Sequence, residues 1–145
     1  MKKTFSIGKI AKVGNCKVQT IRYYEQIGLL PEAARTGGNQ RIYTQQLLDR
    51  LTFIRHSREL GFSLDQIRQI LALSDDPTHS CADVGQIART HLREVESRIV
   101  RLQEMRKELK RMLTHCSGGQ VAECRIIEVL SNHALCLAEN HSQSC

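Results

Sequence analysis

The sequence predicts a mainly α-helical protein with three parts: an N-terminal winged helix-turn-helix, one long helix suited to antiparallel coiled-coil dimerisation, and a short C-terminal loop and helix. Three observations carry this prediction. Two short apolar-periodic runs flank a tight Gly14-Asn15 turn, the stretch from Cys81 to Thr114 contains no proline and one glycine, and the surplus of positive charge lies entirely at the N-terminal end. Residues 1–58 hold 11 Lys/Arg against 3 Asp/Glu, whereas residues 59–145 hold 10 against 12. A basic end on a small domain is the footprint of a binder of phosphate backbones, because each neutralised phosphate releases counterions.

Size and composition narrow the field further. A chain of 145 residues, 41% of them apolar, suits one compact domain or two small ones rather than a large enzyme. No run approaches the ~20 apolar residues of a bilayer span, and Lys2, Lys3, Lys9 and Lys12 interrupt any signal-peptide core, so a cytoplasmic location is expected. In a reducing compartment the six cysteines point to metal binding, redox sensing or packing rather than to disulfides.

Taken in order, Ser6 is positioned to cap a helix to about Val13 with Ile7, Ile10, Ala11 and Val13 as its apolar stripe, and Gly14-Asn15 supplies the stop. A second helix runs from about Val18 to Ile27, with Val18, Ile21, Tyr24 (or Tyr23) and Ile27 at helical spacing and Gly28 closing it. Arg35 to Tyr43 reads as a β-hairpin, or wing, in which Gly37-Gly38-Asn39 supply positive-φ turn chemistry. Thr44 caps a helix to about Leu60 and Ser63 starts another to about Leu73, which ends at Ser74-Asp75-Asp76-Pro77. From Cys81 to Thr114, Leu92, Val95, Ile99, Leu102, Leu109 and Leu113 recur at three- and four-residue steps among alternating charges, giving a rod roughly 50 Å long at 1.5 Å per residue. So thin a rod cannot bury its stripe alone. Pairing with a second copy is the expected remedy, and packing back on its own N-terminal domain is the alternative. Cys116 to Cys124 forms a loop, Arg125 to Leu130 a short helix, and the tail beyond Asn132 has little pattern.

These residues together resemble the MerR family of dimeric transcription regulators over almost the whole chain. The resemblance rests on Ile21-Arg22-Tyr23-Tyr24-Glu25 with Gly28-Leu29-Leu30, on Arg41-x-Tyr43, on Phe53-Ile54-Arg55 with Leu60-Gly61-Phe62-Ser63-Leu64, and on a long helix bracketed by cysteines. With the boundary set by the Ser74–Pro77 turn signal, the expected organisation is residues 1–76 as a winged helix-turn-helix DNA-binding domain, 77–114 as the dimerisation helix, 115–131 as a metal-binding loop and short helix, and 132–145, from its weak pattern, as a mobile tail. Within the family the chain is similar to the metal-sensing branch, since Cys81 precedes the long helix and Cys116 and Cys124 follow it.

Cys81 and Cys116 stand 35 positions apart at opposite ends of the predicted rod, too far to share an ion within one chain. Antiparallel pairing brings Cys81 of one chain to Cys116 and Cys124 of the other, giving two equivalent sites per dimer. Thiolates select soft or borderline cations. Two thiolates alone suit a monovalent ion such as Cu(I), in the part of the family with Ser at the position of Cys81. The third thiolate here argues for a divalent ion: Pb(II) or Hg(II) on three sulfurs, Zn(II) or Cd(II) with a His or water added. His115 is the nearest candidate fourth ligand, and His79 another. The loop's length and composition resemble the copper-sensing pattern, and Ser117 stands where some zinc sensors carry a second adjacent cysteine, which argues against a binuclear zinc site. Cys16 reads as a small core residue. Cys136 and Cys145 with His133 and His141 form either a second metal patch or an adventitious one.

By the same resemblance, Gln19, Thr20, Arg22 and Tyr23 on the second helix and Arg35, Asn39, Arg41 and Tyr43 on the wing contact DNA. Arg55 and Arg58 add backbone contacts, Arg22 has an internal carboxylate as an alternative partner, and Tyr24 packs internally. Family membership implies a homodimer on a two-fold operator with RNA polymerase at the promoter. It represses without metal and activates efflux or detoxification genes by distorting the spacer when loaded. A monovalent copper sensor or a thiol-redox regulator on the same scaffold is the alternative. No enzyme is expected, since the chain lacks a phosphate-cradling Gly motif, His-Glu-x-x-His, Cys-x-x-Cys and any evident nucleophile–base pair.

Overall fold

The computed structural model describes residues 3–116 and 118–135. Contacts divide the chain into two units, Met1–Ile87 and Ala88–Cys145.

The first unit holds β1 (Thr4–Phe5), α1 (Ile7–Val13), α2 (Val18–Gln26), β2 (Ala34–Arg35), β3 (Arg41–Thr44), α3 (Gln45–Glu59) and α4 (Leu64–Ser74). Helix starts follow the local chemistry of the sequence. The hydroxyls of Ser6, Thr44 and Ser63 accept from the backbone N–H groups of Lys9, Leu47 and Gln66, and the Gln66 side chain returns a bond to the Ser63 N–H at 2.9 Å. Helix α2 stops where Gly28 takes φ +71°, and α3 where Gly61 takes φ +86°.

The wing is an antiparallel pair in the register Ala34↔Ile42 and Arg35↔Arg41. A strand absent from the sequence reading joins it: β1 pairs with β3 as Thr4↔Thr44 and Phe5↔Tyr43, giving the order β1-β3-β2. Two residues cannot show an alternating pattern, and this pairing exists only through the fold.

The core of this unit collects Phe5, Ile10, Ile21, Tyr24, Leu29, Leu30, Tyr43, Leu51, Ile54 and Ile67 from α1 to α4 and from the sheet. On α3 the inward row is Leu48, Leu51 and Ile54, while Phe53 stays exposed. Two arginines fasten the exit of α2. Arg68 donates to the Ile27 carbonyl at 2.8 Å, and Arg50 donates to the Leu29 carbonyl at 3.3 Å while its Nη1 lies 3.1 Å from both oxygens of Asp75.

At two turns the left-handed residue is an asparagine rather than the glycine before it. Gly14 has φ −78°, and the left-handed residue is Asn15 at φ +47°; likewise Gly37 and Gly38 leave the positive φ of the wing turn to Asn39 at +64°. Gly14 is instead required by packing: a Cβ there would stand 2.8 Å from Leu51 Cδ2 and 2.9 Å from the Ile10 carbonyl oxygen. Gly14→Ala is therefore expected to lower stability by about 1–3 kcal/mol through overpacking, read as a fall in the urea midpoint at unchanged slope. An unchanged midpoint would show that Leu51 and the α1 carbonyl yield without cost.

Helix α5 runs unbroken over Cys81–Thr114, the span the sequence predicts. Its apolar stripe is open in the single chain, with Leu92, Ile99, Leu102, Leu109 and Leu113 each about half exposed or more. The second unit continues through a 3-10 turn at Val121–Glu123, helix α6 (Arg125–Ser131) and a 3-10 turn at His133–Leu135. Arg111 pairs with the buried Glu108 at 2.6 Å and donates to the Leu135 carbonyl at 2.6 Å, holding the end of the described chain against α5.

Candidate functional site

The helix-turn-helix presents a polar face because its apolar positions are spent inward. Ile21 and Tyr24 are buried, which turns Gln19, Arg22 and Tyr23 to the exposed side of α2. Thr20 is half-buried and hydrogen-bonds the Cys16 thiol, which packs against the core; burial pushes that thiol's pKa up. Lys9, Lys12 and Lys17 are exposed around the same turn.

The wing tip is stiffened by its own bonds. The Thr36 N–H donates to the Gln40 carbonyl at 2.8 Å, the Gln40 N–H donates to Thr36 Oγ1 at 3.1 Å, and the Arg35 guanidinium donates to Asn39 Oδ1 at 2.9 Å. Between wing and helices lies an open groove of about 420 Å³ lined by Ser6, Ile7, Gly8, Arg22, Asn39, Gln40 and Arg41. A groove floored by two arginines and edged by wing amides suits a phosphate strand.

Of the eight residues expected to face DNA, Gln19, Arg22, Tyr23, Arg35 and Asn39 are exposed, while Thr20 and Arg41 are half-buried. Tyr43 is a correction. Its side chain is fully buried, because β3 turns it into the core opposite Phe5, and it has no surface to offer a nucleic acid. Burial, followed by the charge of Glu25 beside it, pushes the Tyr43 pKa up to about 12. The internal carboxylate considered for Arg22 belongs to Arg41 instead, with Arg41 Nε 3.7 Å from Glu25 Oε2. Arg55 donates to Glu59 and Arg58 donates to the Phe62 carbonyl at 2.9 Å, so both have partners within the protein. Tyr24 is buried, as its spacing suggested.

Glu25 is the residue that the sequence reading passed over. Its signal was present: Ile21, Tyr24 and Glu25 occupy i, i+3 and i+4, the buried stripe of α2, so a carboxylate there had to find partners inside.

The thiols occupy the two ends of α5. Cys81 is its first residue and exposed, just after Ser80, whose hydroxyl accepts from the Ala82 N–H at 3.1 Å. Cys116 is exposed immediately beyond the other end, and Cys124 is half-buried between the 3-10 turn and α6. His115 is exposed and donates Nδ1–H to the Arg111 carbonyl at 2.8 Å, which puts the ring's lone pair on Nε2. His79 is oriented between Asp76, at 3.5 Å, and Asp83, at 3.9 Å. Among the described residues of a single chain, no three His, Cys, Asp or Glu side chains converge as a metal site. Cys136, His141 and Cys145 lie outside the described residues. Among the described residues no helix is long and apolar enough to cross a membrane.

Comparison with known proteins places this geometry. Residues 5–74 match the family described as MerR HTH family regulatory protein, and residues 48–112 the family described as MerR, DNA binding. The heavy metal-dependent transcription regulator 2 of Rhizobium meliloti (strain 1021) is 40% identical over 127 residues, which cover 88% of this chain and 86% of that protein. Among solved structures, the regulator PbrR691 of Ralstonia metallidurans CH34 in complex with lead(II) has a TM-score of 0.77 at 39% identity, covering 87% of this chain and 98% of its own. MerR of Bacillus megaterium MB1 in complex with mercury(II) has a TM-score of 0.64 at 32% identity, covering 88% and 99%. These relatives are transcription regulators rather than enzymes. The chain belongs to the MerR family of helix-turn-helix DNA-binding transcription regulators.

Proposed function

We propose that the protein is a homodimeric, metal-responsive regulator in which Cys81 of one protomer joins Cys116 and Cys124 of its partner around a divalent soft or borderline ion. The observation that carries this reading is the placing of exposed thiols at the two ends of an uninterrupted α5 whose apolar stripe is uncovered in the single chain. Antiparallel pairing covers that stripe and superposes one helix's start on the other's end. Each seam then holds three thiolates, a donor set fitted to Zn(II), Cd(II), Pb(II) or Hg(II), with His115 Nε2 available as a fourth ligand. The heavy-metal dependence of the Rhizobium relative and the lead and mercury complexes of the two solved relatives support the class of ion.

Gln19, Thr20, Arg22 and Tyr23 on α2, with Arg35, Asn39 and Arg41 on the wing, hold promoter DNA. Most of these contacts position the dimer on the backbone rather than read bases. The metal-free dimer represses. Closing the 116–124 loop on an ion shifts the angle between the two DNA-binding ends, and the promoter spacer is bent and untwisted so that RNA polymerase can start. The ion achieves this only through differential affinity for the two conformers.

Run-off transcription on the protein's own promoter, with and without each ion, tests the mechanism. Metal is expected to raise transcript yield while operator affinity changes by less than the activation does. Loss of operator binding as the sole effect of metal would refute distortion in favour of simple release.

A further inference from the structure

The structure assigns Glu25 as a positioning residue for DNA binding: its buried carboxylate docks the wing onto the recognition helix and fixes where Arg41 points. Only 6% of the Glu25 side chain is exposed. One carboxylate oxygen accepts from the Ala33 N–H at 3.2 Å, where the chain enters the wing, and the other lies 3.7 Å from Arg41 Nε, where the wing returns. Residues 41 and 43 share one face of β3 by the two-residue period of a strand, and both lie beside Glu25. Arg41 Nε and the Tyr43 hydroxyl are both buried on that face. The Glu25 charge is what both of them face.

The pairing of β1 with β3 and the buried Tyr43 seat β3 on the core, and the Glu25 carboxylate adds the link from α2 to both limbs of the wing. Arg22 and Arg41 line the groove beside α1 as well as the one that Glu25 itself lines with Gln26 and Glu32, so that link bears on the spacing of the two arginines.

The sign of one substitution separates positioning from bulk electrostatics. Glu25→Gln makes the protein one unit more positive, and by charge alone it should tighten DNA binding. Positioning predicts the reverse. With the full-length protein and a duplex selected by it from random-sequence DNA, Glu25→Gln is expected to weaken binding roughly tenfold at fixed salt, while circular dichroism shows a folded protein. In an Arg41→Ala background the same substitution should cost less than about twofold, because the group it aims is gone. Tighter or unchanged binding of Glu25→Gln, or effects that simply multiply in the double variant, would overturn the assignment. Should Glu25→Gln melt below the assay temperature, Glu25→Asp gives the reading at unchanged net charge, by drawing the carboxylate back one methylene. It is expected to weaken binding at least threefold, and wild-type affinity would overturn the assignment equally.

Discussion

A dimer assembled from one Cys81→Ser chain and one Cys116→Ser/Cys124→Ser chain is expected to bind one equivalent of Cd(II) tightly, where the wild-type dimer binds two and either homodimeric variant binds none with comparable strength. The counting follows from shared sites. In the mixed dimer one seam loses all three sulfurs, and the other keeps Cys81 from the second chain with Cys116 and Cys124 from the first. Were each site built within one chain, no intact set would remain. The difference should be large, since even outer partners of a metal ligand are worth roughly 10–100-fold in affinity and here a direct ligand is removed. Equilibrium dialysis against a competing chelator gives the stoichiometry, and thiolate-to-metal absorption reports the sulfur ligands. A mixed dimer with no tight site would remove the shared centre. Promoter activation follows the same logic: Cys81→Ser alone should depress the response to divalent ions, and an unaltered response would take that residue out of the site.

Leu51→Ala carries the second large effect, on stability. Leu51 is fully buried at the middle of α3, against the Gly14 turn that separates α1 from α2. Removing three heavy atoms there loses their transfer energy and opens a cavity lined by rigid neighbours, at a cost of about 2–5 kcal/mol. Against total stabilities of ~5–15 kcal/mol for natural domains, this is enough to populate unfolded protein near physiological temperature. Urea denaturation should show the midpoint falling at constant slope. A loss under about 1 kcal/mol would mean that the turn collapses to fill the space, and that Gly14 is less constrained than its contacts indicate. The two substitutions share one packing contact, so Gly14→Ala should cost less in the Leu51→Ala protein than alone, with the clash against the Ile10 carbonyl remaining.

Much of this molecule is written in local chemistry, and that part is legible in the sequence. Ser6, Thr44 and Ser63 each cap the helix that begins after them, Gly28 and Gly61 each end one, and α5 starts and stops where the absence of proline and the run of leucines indicate. Features that depend on partners far away in the chain are not legible. Strand β1 is two residues long and is defined by Tyr43 and Thr44 some forty positions later. The spacing of Arg41 and Tyr43 correctly puts both on one strand face, but only the packed structure shows that this face turns towards Glu25 and the core. The candidate site divides the same way. Exposed Gln19, Arg22 and Tyr23 follow from the helical period of Ile21 and Tyr24, whereas the fastening of Arg41 does not follow from any spacing.

The pairing of Phe5 with Tyr43 has a mechanical consequence. Tension applied to the leading end of the chain is delivered across β1 to β3, the strand that carries Arg41, before it reaches a single turn of helix. Thr4 and Phe5 are thus a lever arm on the wing, and a pull on Thr4 reaches the hairpin as directly as it reaches the backbone to which it is joined.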